Sequence, residues 1–208
     1  MRHKTGVNQW TSTDDTLNWF DAIQVSKTSK FLQFDIDNFY PSISEELLTK
    51  ALDWARTYTY KEERSERIII HLRRNFLFDG QNFWCKTSGS RFDVTMGAFD
   101  GGECCELVGL YMLFQVVTVK AIFLKEELGL YRDDGLGFVD GGGPKIDQKR
   151  KQLIQLFKEN GLNITVEANT RRLRYLDVIL DMDRGDYRPF HKPNANINYV
   201  RQGSNLHL

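Results

Sequence analysis

Hydrophobic positions along the chain follow two periods, and these predict a succession of strands and helices. The run FLQFDI (residues 31–36) is almost continuously apolar, which is typical of a strand in a buried sheet. In the following SISEELLTKALDWA, Leu48 and Leu52 recur at helical spacing, and Ser42 with Glu45 has the pattern of a capping box. A helix is therefore predicted directly after the strand.

The middle of the chain contains the most apolar segment. RSERIIIHLRRNFLF predicts a second helix, and ECCELVGLYMLFQVVTVKAIFLKEEL is long, apolar and free of proline, so most of it is expected to be a buried helix. LGLYRDDGLGFVD then predicts a β-hairpin. Asp-Gly between apolar runs is a strong hairpin signal, which places the turn at Asp133 and Asp134.

The last part of the chain predicts a helix followed by strands. DGGGPK is expected to be a flexible connector, and IDQKRKQLIQLFKENG an amphipathic helix that buries Leu153, Ile154 and Phe157 and stops at Gly161. LNITVE and LRYLDVILDM predict strands, and DRGD turns the chain into a final hairpin. The order strand, helix, long helix, hairpin, helix, strand predicts an α+β fold with a ferredoxin-like split βαβ sheet backed by helices.

Composition restricts the classes of protein. The 208 residues carry 28 basic and 28 acidic side chains, so the net charge is zero and any nucleic-acid contact must come from local patches. The three cysteines show no C-x-x-C spacing, which argues against a zinc ribbon or a disulfide framework. We expect no apolar run to be long enough to span a membrane, and the chain does not open with the pattern of a secretory signal. The protein is therefore expected to be intracellular, nuclear or cytoplasmic, without a membrane partner.

Three carboxylates are candidates for a metal site. Asp35 closes the first strand, and Asp133 and Asp134 lie at the predicted hairpin turn. If the hairpin lies beside that strand, the carboxylates converge and offer the oxygen ligands that two metal ions, roughly 4 Å apart, need for phosphoryl transfer. Taken singly, an Asp at a strand end is more often a cap, and a DDG more often an ordinary turn.

The same residues carry a resemblance to a known family. FDIDNFYPSI resembles motif A of reverse transcriptases, in which an Asp is followed five positions later by an aromatic residue, and YRDD resembles their motif C. Nearly the whole chain is similar to the polymerase region of eukaryotic retroelements of the Penelope-like or a related non-LTR type. The resemblance implies a reverse-transcriptase-like palm with partial fingers. Residues 1–30 would be partial fingers, 31–180 the palm, and 181–208 a primer-grip-like hairpin and the start of a missing thumb.

This resemblance implies an activity and its partners. The chain would be an RNA-directed DNA polymerase fragment that adds deoxynucleotides to a primer 3′-hydroxyl, using deoxynucleoside triphosphates, an RNA or DNA template and two Mg²⁺ ions, with Mn²⁺ as a substitute. Asp35 and Asp133 would bind both metals and Asp134 would assist. The backbone at Ile36 would lie beside the metals and the triphosphate. Tyr40 would lie under the nucleotide sugar, where its ring would exclude a 2′-hydroxyl. The alternative interpretation of Tyr40 is an aromatic residue of the hydrophobic core.

The other predicted site residues match the family motifs less closely. Asp100 and Gly101 occupy the place of the usual Gln-Gly pair of motif B, which contacts the nucleotide; the alternative for Asp100 is a helix N-cap. Tyr131 and Arg132 would contact the primer–template duplex, and the alternative for Arg132 is an exposed charge. Asp37 is expected to face away from Asp35 and is left out of the site.

Two other functions stay open. A non-catalytic nucleic-acid-binding remnant is favoured by the missing fingers and thumb and by the absent glutamine. An RNA-dependent RNA polymerase shares the palm, and only Tyr40 argues against it. The oligomeric state is not indicated by the sequence.

Overall fold

The structure is a computed structural model, and it describes residues 1–60, 62–74, 77–84 and 91–190. The helices are α1 (Arg2–Thr5), α2 (Thr13–Ala22), α3 (Phe39–Ser42), α4 (Glu45–Arg56), α5 (Glu63–His71), α6 (Gly101–Phe114) and α7 (Gly143–Glu159). The strands are β1 (Asn8–Gln9), β2 (Lys30–Ile36), β3 (Leu77–Phe78), β4 (Phe83–Trp84), β5 (Leu128–Tyr131), β6 (Asp134–Val139), β7 (Ile164–Thr170), β8 (Arg172–Tyr175), β9 (Val178–Asp181) and β10 (Asp186–Pro189).

The central sheet has the strand order β1-β5-β6-β2-β7. Strands β5, β6, β2 and β7 pair antiparallel with their neighbours, and β1 joins the edge at β5 in parallel. The first long strand, β2, thus lies between the hairpin and the last strand of the unit. This arrangement confirms the predicted α+β fold with a split βαβ sheet.

Each face of the sheet buries its own hydrophobic cluster. Leu32, Phe34 and Ile36 of β2 belong to a large cluster with buried residues of α4, α6 and α7. Phe31 belongs to a second cluster, which Trp10, Trp19 and Phe20 share with β6 and with strands β8 and β9. Because side chains alternate along a strand, a single strand supplies both layers. The helices cover one face, and α2 with a small second sheet covers part of the other.

The long apolar helix is confirmed. Helix α6 continues from Phe114 as a π-helical segment to Val119 and then stops, so helical structure covers most of the predicted segment, as expected. By length and composition, Gly101–Val119 would qualify as a membrane span, contrary to the expectation that no apolar run is long enough. Half of that window is buried inside the protein, where Val108 and Met112 pack in the large cluster as in a core helix.

Several local predictions need correction. Helix α4 begins after Ser44, whose hydroxyl accepts the Leu47 N–H, so Ser42 is not its cap. The second predicted helix ends at His71, and its tail instead enters strand β3. DGGGPK is only partly a connector, because Gly142 is the N-cap of α7 and Pro144 lies in its first turn, where a missing N–H costs nothing.

The segment LRYLDVILDM is a hairpin and not one strand. Strands β8 and β9 pair around the two-residue loop Leu176–Asp177, and β10 adds to β9 to form a three-stranded sheet. Apolar alternation runs on through the loop, which is why the sequence shows no break. The final hairpin is confirmed as far as Pro189. Residues 191–208 and Cys85 lie outside the described residues, while Cys104 and Cys105 are buried.

A close approach in the core requires the glycine of the DDG sequence. Gly135 pairs with Phe34 across β6 and β2, and a Cβ at this position would lie 2.1 Å from the Phe34 ring. That ring is itself fixed edge-on against Phe157. We therefore expect Gly135→Ala to lower the free energy of unfolding by about 1–3 kcal/mol through overpacking, measured by urea denaturation.

Gly143→Ala is the matched control, since a Cβ there meets no atom within 4 Å. Its free energy of unfolding should stay within about 0.5 kcal/mol of the parent. Equal stability of the two variants would contradict this account of Gly135.

Candidate active site

The hairpin that carries the two adjacent aspartates has a two-residue loop. Tyr131 pairs with Asp134, so the loop consists of Arg132 and Asp133, and Arg132 has the left-handed φ of 54°. Asp134 is therefore the first residue of β6 and not a turn residue. The predicted hairpin is confirmed, but its turn lies one residue earlier than the Asp-Gly signal indicated.

The sheet register brings the three carboxylates together. Asp35 of β2 is the direct antiparallel partner of Asp134, so both side chains leave the same face of the sheet. The Ile36 N–H donates to the Asp133 carbonyl at 3.1 Å, which ties the hairpin loop to the end of β2. Asp37 follows the end of β2 and accepts a hydrogen bond from the Thr165 hydroxyl at 3.0 Å. Thr165 is the direct antiparallel partner of Asp35, so Asp37 lies on the same side of the sheet as Asp35, and the expectation that it faces away is wrong.

Burial and mutual repulsion perturb these carboxylates. Partial burial raises the pKa of Asp134 to about 6, and the charges of Asp133 and Asp35 add to the increase. Burial likewise raises the pKa of Asp35, with further increases from Asp133 and Asp37. Their ionised forms are therefore destabilised by their surroundings, which is the condition that a bound cation relieves.

The donor set fits a divalent cation in its chemistry. All three side chains offer hard carboxylate oxygens, and among the described residues none of them forms an ion pair with a lysine or arginine. Within the same residues, no three His, Cys, Asp or Glu side chains form a ready-made metal cage. The three carboxylates are adjacent but do not already surround one point.

Tyr40 lies beside this cluster. It is in the short helix α3 directly after β2, and it is half-buried against the large hydrophobic cluster. Burial raises the pKa of Tyr40, the proximity of Cys105 and the charges of Asp133 and Glu106 raise it further, and the charge of Arg132 opposes them. Tyr40 is thus close to the hairpin loop and to the first turns of α6, at the edge of the carboxylates.

Asp100 and Gly101 are placed elsewhere. Asp100 is the N-cap residue of α6, but its carboxylate pairs with the guanidinium of Arg73, which is 3% exposed, and makes no capping bond. A Cβ on Gly101 would lie 2.6 Å from the Thr95 carbonyl oxygen, so this glycine permits a close chain crossing. Helix α6 approaches the hairpin loop at Gly109, nine residues and about 13 Å along the helix from Asp100.

The remaining predicted residues surround the loop. The Arg132 side chain is exposed, with its guanidinium 5.6 Å from the Tyr131 ring centre, and Tyr131 packs on the second cluster. The Ile36 side chain is buried, so only its backbone can face the site, and its N–H is already bonded to Asp133.

Two residues near the carboxylates were not predicted as members of the site. Cys105 of α6 has its pKa raised to about 12 by burial, then by Cys104 and Asp133, so it is a protonated thiol next to the cluster. The hydroxyl of Tyr175 donates to the backbone carbonyl of Asp134 at 2.7 Å. Both depend on chain packing between distant segments, and local sequence patterns do not report such contacts.

Solved structures share this architecture. The chain superposes on apo telomerase from Candida tropicalis, truncated from its C-terminal domain, with a TM-score of 0.63 and 15% identity over 90% of this chain and 41% of that one. The RNA-dependent RNA polymerase of a human picorbirnavirus gives a TM-score of 0.60 and 12% identity over 88% and 35% of the two chains. The chain has the fold of a polymerase palm.

The likeness is one of fold. Telomerase from Candida tropicalis in complex with a TWJ fragment of telomeric RNA also matches the palm, with a TM-score of 0.64 and 13% identity over 96% of this chain and 36% of that one. The present chain spans only about two-fifths or less of the length of these solved chains. No protein-family model and no curated protein matches it.

The raised pKa of Asp134 predicts a pH-dependent stability. The folded protein holds this proton up to pH about 6, whereas the unfolded chain loses it near pH 4, so the stabilisation is fully present below pH 4 and is lost as pH rises through 6. The full shift corresponds to about 3 kcal/mol, which partial solvent exposure reduces to ~1 kcal/mol. With EDTA present, Asp134→Asn should therefore be more stable than the parent by ~1 kcal/mol at pH 7.5 and equal to it near pH 4.

Urea denaturation of both proteins at several pH values measures this difference directly. If the difference in free energy of unfolding between the two proteins is the same at pH 4 and pH 7.5, the pKa of Asp134 is not raised in the folded protein.

Proposed function

We propose that the chain is the palm of an RNA-directed DNA polymerase, which extends a primer 3′-hydroxyl by template-dependent nucleotidyl transfer. The observation that carries this proposal is the pairing of Asp35 with Asp134, with Asp133 in the adjoining loop, on a palm sheet. The retroelement origin, of the Penelope-like or a related type, rests on the sequence motifs. Binding of a nucleic-acid template is supported by the telomerase that was solved with RNA.

The chain's own residues would provide a rigid, negatively charged surface for the reaction. Asp35, Asp133 and Asp134 would hold two Mg²⁺ ions, or Mn²⁺, which supply activation of the attacking hydroxyl and stabilise charge on the phosphate. The bond between Ile36 and Asp133 holds the loop beside β2, so the carboxylates are positioned before any ligand binds. The exposed guanidinium of Arg132, which extends from the same loop, is suited to contact a phosphate of the primer or template.

Primer extension tests the carboxylate assignment. In assays with an RNA template, a DNA primer, deoxynucleotides and Mg²⁺, Asp35→Asn or Asp133→Asn should reduce the rate by about 100-fold or more, because metal stabilisation contributes several kcal/mol. Asp37→Asn is the matched control. It lies two residues from Asp35 on the same side of the sheet, but its carboxylate is bonded to the Thr165 hydroxyl and is not one of the three proposed metal ligands, so this variant should retain activity.

The non-catalytic remnant predicts a different outcome of the same assay. It is favoured by one observation: the carboxylate of Asp100, at the proposed motif B position, is paired with the guanidinium of Arg73. A remnant would bind primer–template without synthesis, and neither Mn²⁺ nor Mg²⁺ would raise its melting temperature, whereas ion binding to the folded palm would raise it. Loss of extension in both Asp35→Asn and Asp37→Asn would also count against the assignment.

Tyr40 should decide between deoxyribonucleotide and ribonucleotide synthesis. The similarity to the picorbirnavirus enzyme favours RNA synthesis as the second candidate. If the Tyr40 ring excludes the 2′-hydroxyl, Tyr40→Ala should increase ribonucleotide relative to deoxynucleotide incorporation by about tenfold or more, and Tyr40→Phe, which keeps the ring, should not. Preferred ribonucleotide incorporation by the parent protein would favour the RNA polymerase.

A further inference from the structure

Two hairpin ends face each other next to the carboxylates. The first is the end of the β5–β6 hairpin, residues 131–134, and the second is the end of the β8–β9 hairpin, residues 175–178. Each has a two-residue loop that begins with a left-handed residue, Arg132 with φ 54° and Leu176 with φ 49°. The contact between the two ends is made by the hydroxyl of Tyr175, which donates to the Asp134 carbonyl at 2.7 Å.

This hydroxyl bonds to the strand of the carboxylate hairpin that carries Asp134. Asp134 is paired with Tyr131, and this pair closes the two-residue loop, so the bond is made where the loop begins and ends. Tyr175 is 1% exposed. Burial raises the pKa of its phenol well above the usual range, and the nearby Asp134 carboxylate adds to this, so the hydroxyl stays protonated and remains a donor.

The ring of Tyr175 is fixed independently of the hairpin loop. It lies edge-on to the Trp10 ring, with ring centres 5.9 Å apart. The main-chain N–H of Trp10 in turn donates to the Leu130 carbonyl at 2.8 Å, and the Trp10 ring covers Gly129, where a Cβ would lie 2.1 Å from the ring. The hydroxyl therefore comes from a rigid support that belongs to the second hydrophobic cluster.

From this geometry we propose that Tyr175 is a positioning residue for the carboxylate-bearing loop of the candidate active site. Asp35, Asp133 and Asp134 repel one another, and this repulsion drives the loop away from β2. Besides the main-chain bonds of the sheet, the hydroxyl of Tyr175 restrains the loop from the other sheet. The inference rests on the proposed function for its catalytic consequence, but the restraint itself concerns the folded chain without any ligand.

The test compares Tyr175→Phe with Tyr58→Phe in the full 208-residue chain. Both changes remove one hydroxyl from a packed ring, but among the described residues the Tyr58 hydroxyl makes no hydrogen bond, and its ring packs on Trp54, in the helical layer on the other side of the sheet. In Tyr175→Phe we expect hydrogen exchange of the Tyr131 and Asp134 amides to accelerate by about tenfold or more. We also expect the dissociation constant for Mn²⁺ to increase by about tenfold, because the carboxylates are no longer held in position. For the same reason kcat should fall by about 10- to 100-fold, whereas the KM for deoxynucleotide should stay nearly unchanged, because nucleotide binding is not lost.

The outcomes separate positioning from general stability and from the proposed function. Unchanged exchange at Tyr131 and Asp134 overturns the inference, as does faster exchange with Mn²⁺ affinity and kcat equal to those of the parent. Equal effects in Tyr58→Phe also overturn it, because they would reflect general loosening. If the parent protein neither binds Mn²⁺ nor extends a primer, the proposed function is wrong, and the exchange rates alone then decide whether Tyr175 restrains the loop.

Discussion

The antiparallel register between β2 and β6 is the constraint on which the candidate site depends. It places two carboxylates, Asp35 and Asp134, directly opposite each other, an arrangement that by itself opposes pairing. The neighbouring pairs supply the compensation, since Phe34 lies across Gly135 and Phe31 opposes Phe138, each in one of the two hydrophobic clusters. A shift by one residue would move every side chain of one strand to the opposite face and out of its cluster, so burial fixes the register, and the register places the two charges opposite each other.

The unequal covering of the two faces of the sheet explains why the carboxylates reach solvent. On one side, α4, α6 and α7 cover the sheet over the large hydrophobic cluster. On the other, α2 and the small sheet of β8, β9 and β10 cover the part around Trp10, Phe31 and Phe138, and that cover ends at Tyr175. Asp35, at the end of β2, lies beyond this cover and is exposed. The first 30 residues, expected to be fingers, supply β1 and α2 to these palm layers.

Helix α6 divides the expected nucleotide site into two places. Its middle, at Cys105 and Gly109, packs beside the hairpin loop and Tyr40, while its beginning, at Asp100, is held by the buried Arg73. A buried arginine needs a carboxylate partner, and Asp100 meets that need. Asp100, which the sequence motifs had placed at the nucleotide, is thus paired with Arg73 in the folded chain, and the part of α6 next to the carboxylates is uncharged apart from Glu106.

The sequence by itself determined the elements with strong periodicity and the identity of the carboxylates. Strand β2, helices α4 and α7 and the Asp133–Asp134 hairpin were predictable, because alternation and helical spacing are local properties that burial imposes on the chain. Only the tertiary structure decided that Asp35 meets Asp134, that Gly135 serves the Phe34 ring and not a turn, and that Asp100 pairs with Arg73. The contact of Tyr175 with the loop was likewise invisible, since 41 residues separate it from Asp134. Such contacts depend on how separate elements pack, and the local pattern of a sequence carries no record of that packing.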